Sequence, residues 1–230
     1  MRLFNDGDER LFHAVTVAVR LGRSAKLVKA LAADYDEYWD DPEAGFKYAL
    51  ALVAAMQAGG TEQRNHDRYA KSLEALDDVL DGMPEHWPAR YCRVRHRVLV
   101  RTGYGRYQEY AGDDRDKVAE DLASLLHGQQ QDQPWQPYFT AAAMLAAQFH
   151  AGQGDQAQAA ALIDDAAGRP RAPIPYPALG AILVDPFLTL FHGSAPPPQR
   201  ATVGAVMAAL FPANPAVQAT IRGTGTAVPA

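Results

Sequence analysis

Cysteine is almost absent from this sequence, which has 230 residues and a single cysteine, Cys92. One cysteine cannot form a disulfide within the chain, and this is typical of proteins that fold in a reducing compartment. Long apolar runs are also missing, since the longest run near the carboxyl end, 178–184, is cut by Asp185 and Pro186. Because a helix needs about 20 apolar residues to span a bilayer, we expect a soluble, cytoplasmic protein without a membrane partner.

Catalytic signatures and an excess of positive charge are missing as well. The chain contains no glycine-rich phosphate loop, no H-E-x-x-H zinc motif and no G-x-S-x-G nucleophile motif. Cys92 and His96 are four residues apart, but two ligands do not make a metal site, so we expect no metal and no cofactor. With 27 acidic and 22 basic residues the net charge is −5, which argues against nucleic acid as the partner.

Apolar residues recur at three- and four-residue steps through most of the chain, as in Tyr69, Leu73, Leu76 and Leu80. Glycine, proline and aspartate punctuate these segments. The pattern predicts an all-α chain from Asp8 to Gly168, with at least seven helices in antiparallel pairs. The third segment, 43–58, is apolar nearly all round, and we expect neighbouring helices to bury it on several sides.

Composition changes after Gly168, where Pro170, Pro173, Pro175 and Pro177 follow one another closely. Such spacing predicts an extended segment. We therefore expect a helical-repeat domain at 1–168, a proline-rich extension with short helices at 169–222 that packs on it, and a disordered tail at 223–230.

Two windows resemble the hairpin of the tetratricopeptide repeat (TPR). In 143–170 the Gly154-Asp155 turn is followed by Ala159 and Ala166 at helical spacing, and Pro170 closes the unit. A second set resembles the latter half of one unit and the opening of the next: Tyr69, Ser72, Leu76, Val79, Leu80, Pro84, Trp87, Tyr91 and Cys92. The resemblance covers roughly half of the chain and implies a TPR-like α-solenoid of stacked hairpins that binds proteins on a helical surface.

Positive charge is concentrated in the segment that begins at Trp87. Its arginines, five within residues 90–101, are Arg90, Arg93, Arg95, Arg97 and Arg101. On a helical wheel, all of them except Arg95 fall within about 80° of one another. This arginine face is either a solvated face paired with acids or a groove for an acidic peptide, a carboxylate or a phosphate. The candidate acids are Asp77, Asp78, Asp81, Asp113, Asp114 and Asp116.

Arg95 falls on the opposite, apolar side of the same helix, between Tyr91 and Leu99. A buried guanidinium needs a carboxylate partner, for which Asp121 and Asp114 are candidates, unless it lines a pocket. His96 lies at the edge of this side and is interpreted as a core-edge histidine.

The function that these patterns favour is a non-enzymatic helical-repeat scaffold that binds a partner protein or an acidic peptide. The predicted contact residues are Arg90, Tyr91, Arg93, Arg95, His96, Arg97 and Arg101.

The alternative interpretation starts from Asp77-Asp78-Val79-Leu80-Asp81, which resembles the D-D-x-x-D motif of class I terpene and prenyl synthases. The resemblance implies carboxylates that hold magnesium against a diphosphate, with arginines binding the leaving group. Under this alternative the chain is a small-molecule or diphosphate-binding helical protein, including an enzyme of that class.

Overall fold

The computed structural model describes residues 4–102, 115–130, 136–169 and 172–223, and of residues 99–102, 128–130, 136–138 and 194 it describes only the backbone. Within these ranges every regular element is helical, which confirms the all-α fold class. The chain divides between Arg115 and Asp116 into two compact units.

The first unit is built around its third helix. Its helices are α1 (Asp6–Arg20), α2 (Ala25–Glu37), α3 (Pro42–Gln57), α4 (Glu62–Gly82) and α5 (Trp87–Thr102). Helix α3 contacts α1, α2 and α4, and α5 packs on α4. The prediction that neighbours bury this helix on several sides is confirmed, because nearly every residue from Gly45 to Ala55 is buried and only Lys47 among them is exposed.

Short-range caps fix where these helices begin. The side chain of Asn5 accepts hydrogen bonds from the first turn of α1, and Asp8 accepts one from the backbone of Asn5 in return. The Thr61 hydroxyl accepts from the Arg64 amide, so α4 begins at Glu62 rather than at His66, where the apolar periodicity begins.

The second unit begins with α6 (Arg115–Gln130) and a helical hairpin, α7 (Gln136–Gly152) with α8 (Gln156–Gly168). Gly154 turns the chain with a φ of +84°, and Asp155 caps α8 by accepting from the Gln158 amide. The turn predicted at Gly154 and Asp155 is therefore confirmed.

Residues 172–223 form short helices that pack on this hairpin. They are α9 (Gly180–Leu183), α10 (Asp185–Thr189), a π-helical turn (Leu190–Ser194), a 3₁₀ turn (Pro197–Gln199), α11 (Arg200–Leu210) and α12 (Pro215–Gly223). Helix α10 contacts α7, and α11 contacts α8. The helices on either side of the boundary expected after Gly168 thus belong to one unit.

Some expectations fall on residues outside the described ranges. These are the start of the sixth helix at Asp113 and Asp114, and all of the predicted tail except Gly223. In the part of the chain that the structure describes, no helix combines the length and the apolar character needed to cross a membrane.

Candidate protein-interaction surface

The arginine-rich helix α5 is enclosed by its neighbours. Tyr91, Cys92, Val94 and Val98 are all at most 2 % exposed. Val94 lies on the wheel beside the arginine face, so burial extends around the helix to that face as well. The expectation that Arg97 stands on an open face is wrong, because Arg97 is only 3 % exposed.

Two arginines of α5 converge on one carboxylate of α4. Nη1 of Arg93 donates to Oδ1 of Asp77 over 2.9 Å, and Nη2 of Arg97 lies 3.3 Å from both oxygens of Asp77. The Arg97 side chain is 4 % exposed, whereas that of Asp77 is 41 % exposed. The interpretation of these arginines as partners of acids on the preceding helix is therefore confirmed for Arg93 and Arg97.

The other predicted contact residues of α5 lie at separate places. Arg90 is half-buried, with its guanidinium 5.8 Å from the centre of the Trp87 ring. Tyr91 is buried, and its ring meets that of Phe4 edge to face. The side chain of Arg101 is not described.

Arg95, His96 and Cys92 form a buried group on the apolar side of α5. Arg95 is 3 % exposed, which confirms its predicted place on the apolar side. Burial, and then the positive charge of Arg95, lower the pKa of His96 to about 3, so His96 is neutral at physiological pH. Burial raises the pKa of Cys92 to about 12, which rules out a thiolate nucleophile there. His96, expected at the core edge, is itself buried.

The three carboxylates of the D-D-x-x-D segment have different surroundings. Asp77 pairs with Arg93 and Arg97, Asp78 accepts a hydrogen bond from the Tyr35 hydroxyl, and Asp81 is exposed. Among the described residues, no three histidine, cysteine or acidic side chains are grouped so that they could hold a metal ion.

Among the side chains that the structure describes, the most exposed aromatic ones lie at the end of α2. Tyr38 is 52 % exposed and Trp39 is 76 % exposed. The three-and-four-residue spacing of Leu31, Tyr35 and Tyr38 predicts an inward position for Tyr38, but α2 ends at Glu37 and Tyr38 leaves the helical path with ψ of 49°. Since tyrosine and tryptophan are enriched at protein interfaces and here two of them are exposed side by side, this place is a candidate interaction surface.

The same segment carries a dense negative charge. Six of the ten residues from 34 to 43 are acidic, none is basic, and all six acids are exposed. We define the aromatic–acidic surface as Asp34, Asp36, Glu37, Tyr38, Trp39, Asp40 and Asp41. Glu37 accepts a hydrogen bond from the Tyr38 hydroxyl and thereby raises the pKa of Tyr38.

Helix α2 is stabilised poorly by its own sequence. Lysines stand in its amino-terminal half, at Lys26 and Lys29, and acids in its last turn, which is the reverse of what the helix dipole favours. The capping residue Ser24 makes no side-chain hydrogen bond, and no residue of α2 is fully buried. Sequences that break local rules in this way are typical of functional sites.

Tyr35 attaches α2 to the rest of the unit. Its ring stacks on that of Tyr48 with 5.5 Å between centres, and its hydroxyl donates to Asp78 on α4. Gly45 on α3 faces Tyr35 and also lies close to Val79 on α4. A Cβ atom at residue 45 would lie 2.8 Å from Cγ2 of Val79 and 3.4 Å from Cε2 of Tyr35.

Gly45→Ala is therefore expected to lower the free energy of unfolding by about 1 kcal/mol. Alanine gains about 1 kcal/mol of helix propensity, but overpacking costs roughly 1–3 kcal/mol. Gly82→Ala is the matched control, because its nearest neighbour would be Cγ of Pro42 at an ordinary 3.7 Å. Urea denaturation of both variants checks this, and a Gly45→Ala variant as stable as Gly82→Ala would contradict the close packing of α3 against Val79 of α4.

An open cleft of about 270 Å³ lies beside the aromatic–acidic surface. Its lining residues are Leu31, Asp34, Tyr38, Asp41, Ala44 and Lys47. Asp41 also caps α3 by accepting from the Glu43 amide, and Lys47 pairs with Glu43 at 3.4 Å. Two lining residues of the cleft, Asp41 and Lys47, are thus positioned by contacts with Glu43 in the first turn of α3.

Sequence reasoning missed Tyr38 and Trp39 as candidate contact residues. The sequence feature that points to them is the acidic run 34–43, in which three aromatic residues lie among six acidic ones. No protein-family model, no curated protein and no solved structure matches this chain.

Proposed function

We propose that the chain is a non-catalytic helical scaffold that binds a partner protein through the aromatic–acidic surface. The observation that carries the proposal is Trp39, which is 76 % exposed beside a half-exposed Tyr38. Tryptophan and tyrosine dominate the energetics of protein interfaces, because they bury a large area with few rotatable bonds. We infer further that the packed pairs α3–α4 and α7–α8 are TPR-like hairpins, an arrangement suited to protein binding.

The arginine face of α5 stays a prediction as a docking site. The ion pairs of Arg93 and Arg97 with Asp77 favour a structural role for it. The diphosphate alternative also stays a prediction, and its first two carboxylates are engaged by Arg93, Arg97 and Tyr35. Magnesium-dependent turnover of a prenyl diphosphate, lost in Asp77→Ala/Asp81→Ala, would favour that alternative.

A site-specific crosslink tests the proposed function. A photoreactive amino acid at residue 39 is expected to trap a discrete partner protein in cells, whereas the same group at residue 83 should not. Met83 is the matched position, because it is an exposed apolar side chain (43 %) of the same unit. The trapped protein is then purified and titrated with the parent chain and its variants.

Tyr38→Ala/Trp39→Ala is expected to weaken binding of that purified partner by at least about thirtyfold, since an interface hot spot is worth about 2 kcal/mol or more. Met83→Ala should bind like the parent chain. Unchanged binding by Tyr38→Ala/Trp39→Ala, together with loss of binding in an Arg93→Glu/Arg97→Glu variant whose circular dichroism shows that it is still folded, would place the site on α5 instead.

A further inference from the structure

The partner of the aromatic–acidic surface can be described by its chemistry. We infer that this surface binds a polypeptide segment rich in lysine or arginine, one of whose side chains enters the cleft between Tyr38 and Asp41. The inference rests on the proposed function, because it names the class of partner for that same surface.

The charge of the surface is unbalanced. Within the described ranges, no cation pairs with Asp34, Asp36 or Asp40, and Lys47 is already paired with Glu43. Exposed carboxylates that crowd together repel one another and set up a negative potential around the segment. A cationic partner removes this repulsion, whereas an acidic one would increase it.

The position of the acids on α2 gives an independent reason. Asp34, Asp36 and Glu37 occupy the last turn, where the helix dipole is already negative. A cation placed beside this turn would compensate the carboxylates and the free carbonyl groups of the helix end together. Helix α2, which its own sequence stabilises poorly, would therefore gain stability from such a partner.

The aromatic side chains favour lysine and arginine over small ions. The face of a tryptophan or tyrosine ring attracts an ammonium or guanidinium group, and the ring also covers the apolar stem of the side chain. The cleft offers the same combination, with Leu31 and Ala44 for the stem and Asp34 and Asp41 for the charged end. At about 270 Å³ it is below the usual size of a metabolite pocket, which suits an inserted side chain.

The test measures fluorescence anisotropy of a labelled oligolysine peptide with the full chain. An oligoglutamate peptide of the same length is the probe of opposite charge. We expect oligolysine to bind, more weakly as salt is raised, and oligoglutamate not to bind. Trp39→Ala should weaken oligolysine binding by about tenfold, and Asp34→Asn/Asp36→Asn by about fivefold.

A chain of net charge −5 could attract oligolysine without a specific site, and this needs a control. The control variant is Asp116→Asn/Glu120→Gln, which removes two exposed acids of the second unit. It should bind oligolysine like the parent chain. Equal weakening in this control and in Asp34→Asn/Asp36→Asn would overturn the inference. So would spermine binding as tightly as oligolysine, or self-association of the chain that Trp39→Ala abolishes.

Failure of the inference and failure of the proposed function are distinguishable. If oligolysine does not bind but Tyr38→Ala/Trp39→Ala still loses the crosslinked partner, the surface binds proteins of another chemistry and the inference is wrong. If Tyr38→Ala/Trp39→Ala keeps that partner, the proposed function is wrong.

Discussion

Arg97→Ala is expected to lower the free energy of unfolding by about 3 kcal/mol, because it leaves a cavity where a nearly fully buried side chain packs and also removes the pair with Asp77. The Arg97 side chain is 4 % exposed and contacts both oxygens of Asp77. Arg93→Ala should cost only about 1 kcal/mol, since solvent reaches this pair more easily and screens it. The Arg93 side chain is 13 % exposed. Urea denaturation of the purified variants gives both values.

Arg115→Ala serves as the control, because Arg115 is exposed and its removal should change stability by no more than about 0.5 kcal/mol. A double-mutant cycle with Asp77→Ala isolates the pair, and we expect a coupling energy of about 1–2 kcal/mol. If Arg97→Ala and Arg115→Ala unfold at the same urea concentration, the structural role assigned to the α5 arginines is wrong.

Arg95→Ala is expected to lower the free energy of unfolding by a similar amount, about 3 kcal/mol. A buried guanidinium needs a compensating group, and removal of the guanidinium leaves that group buried without its partner. Arg95 is 3 % exposed. Its positive charge also lowers the pKa of His96, although burial is the larger cause. Removing Arg95 should therefore raise the pKa of His96 from about 3 while leaving it below its ordinary value.

Nuclear magnetic resonance titration of His96 in a folded Arg95→Ala protein measures this second effect, and thermal melting measures the first. A variant that melts like the parent, with an unchanged His96 titration, would show that the Arg95 guanidinium is solvated. The predicted pairing of Arg95 with Asp121 stays a prediction, although Asp121 is itself 2 % exposed.

Local chemistry made much of the first unit predictable. The apolar circumference of 43–58 predicts burial, and every residue of α3 from Gly45 to Ala55 except Lys47 is buried. Asp41 followed by Pro42 predicts a helix start, and the Asp41 carboxylate caps α3. These features depend on residues within a turn or two of one another, so the sequence carries them completely.

The burial of the arginine face could not be predicted from the helical wheel. A wheel gives the direction in which each side chain points, but not which residues a neighbouring helix places against it. Arg97 is buried since α4 brings Asp77 to it from twenty residues away. Val94, an apolar residue next to the arginine face, was the sequence feature that indicated burial on this side of the helix. Tyr38 was misplaced because the helix ends one residue before it, and helix ends are the least certain part of any pattern.

Hydrogen–deuterium exchange with and without saturating oligolysine tests most directly the claim that α2 binds and α5 supports the fold. The account predicts slower exchange in residues 31–47, which span the aromatic–acidic surface and the cleft, and unchanged exchange in residues 87–98 of α5. At the oligolysine concentration that just saturates the parent chain, Trp39→Ala should show less slowing in residues 31–47 and unchanged exchange in residues 87–98. Slower exchange confined to 87–98, with none in 31–47, would contradict the account.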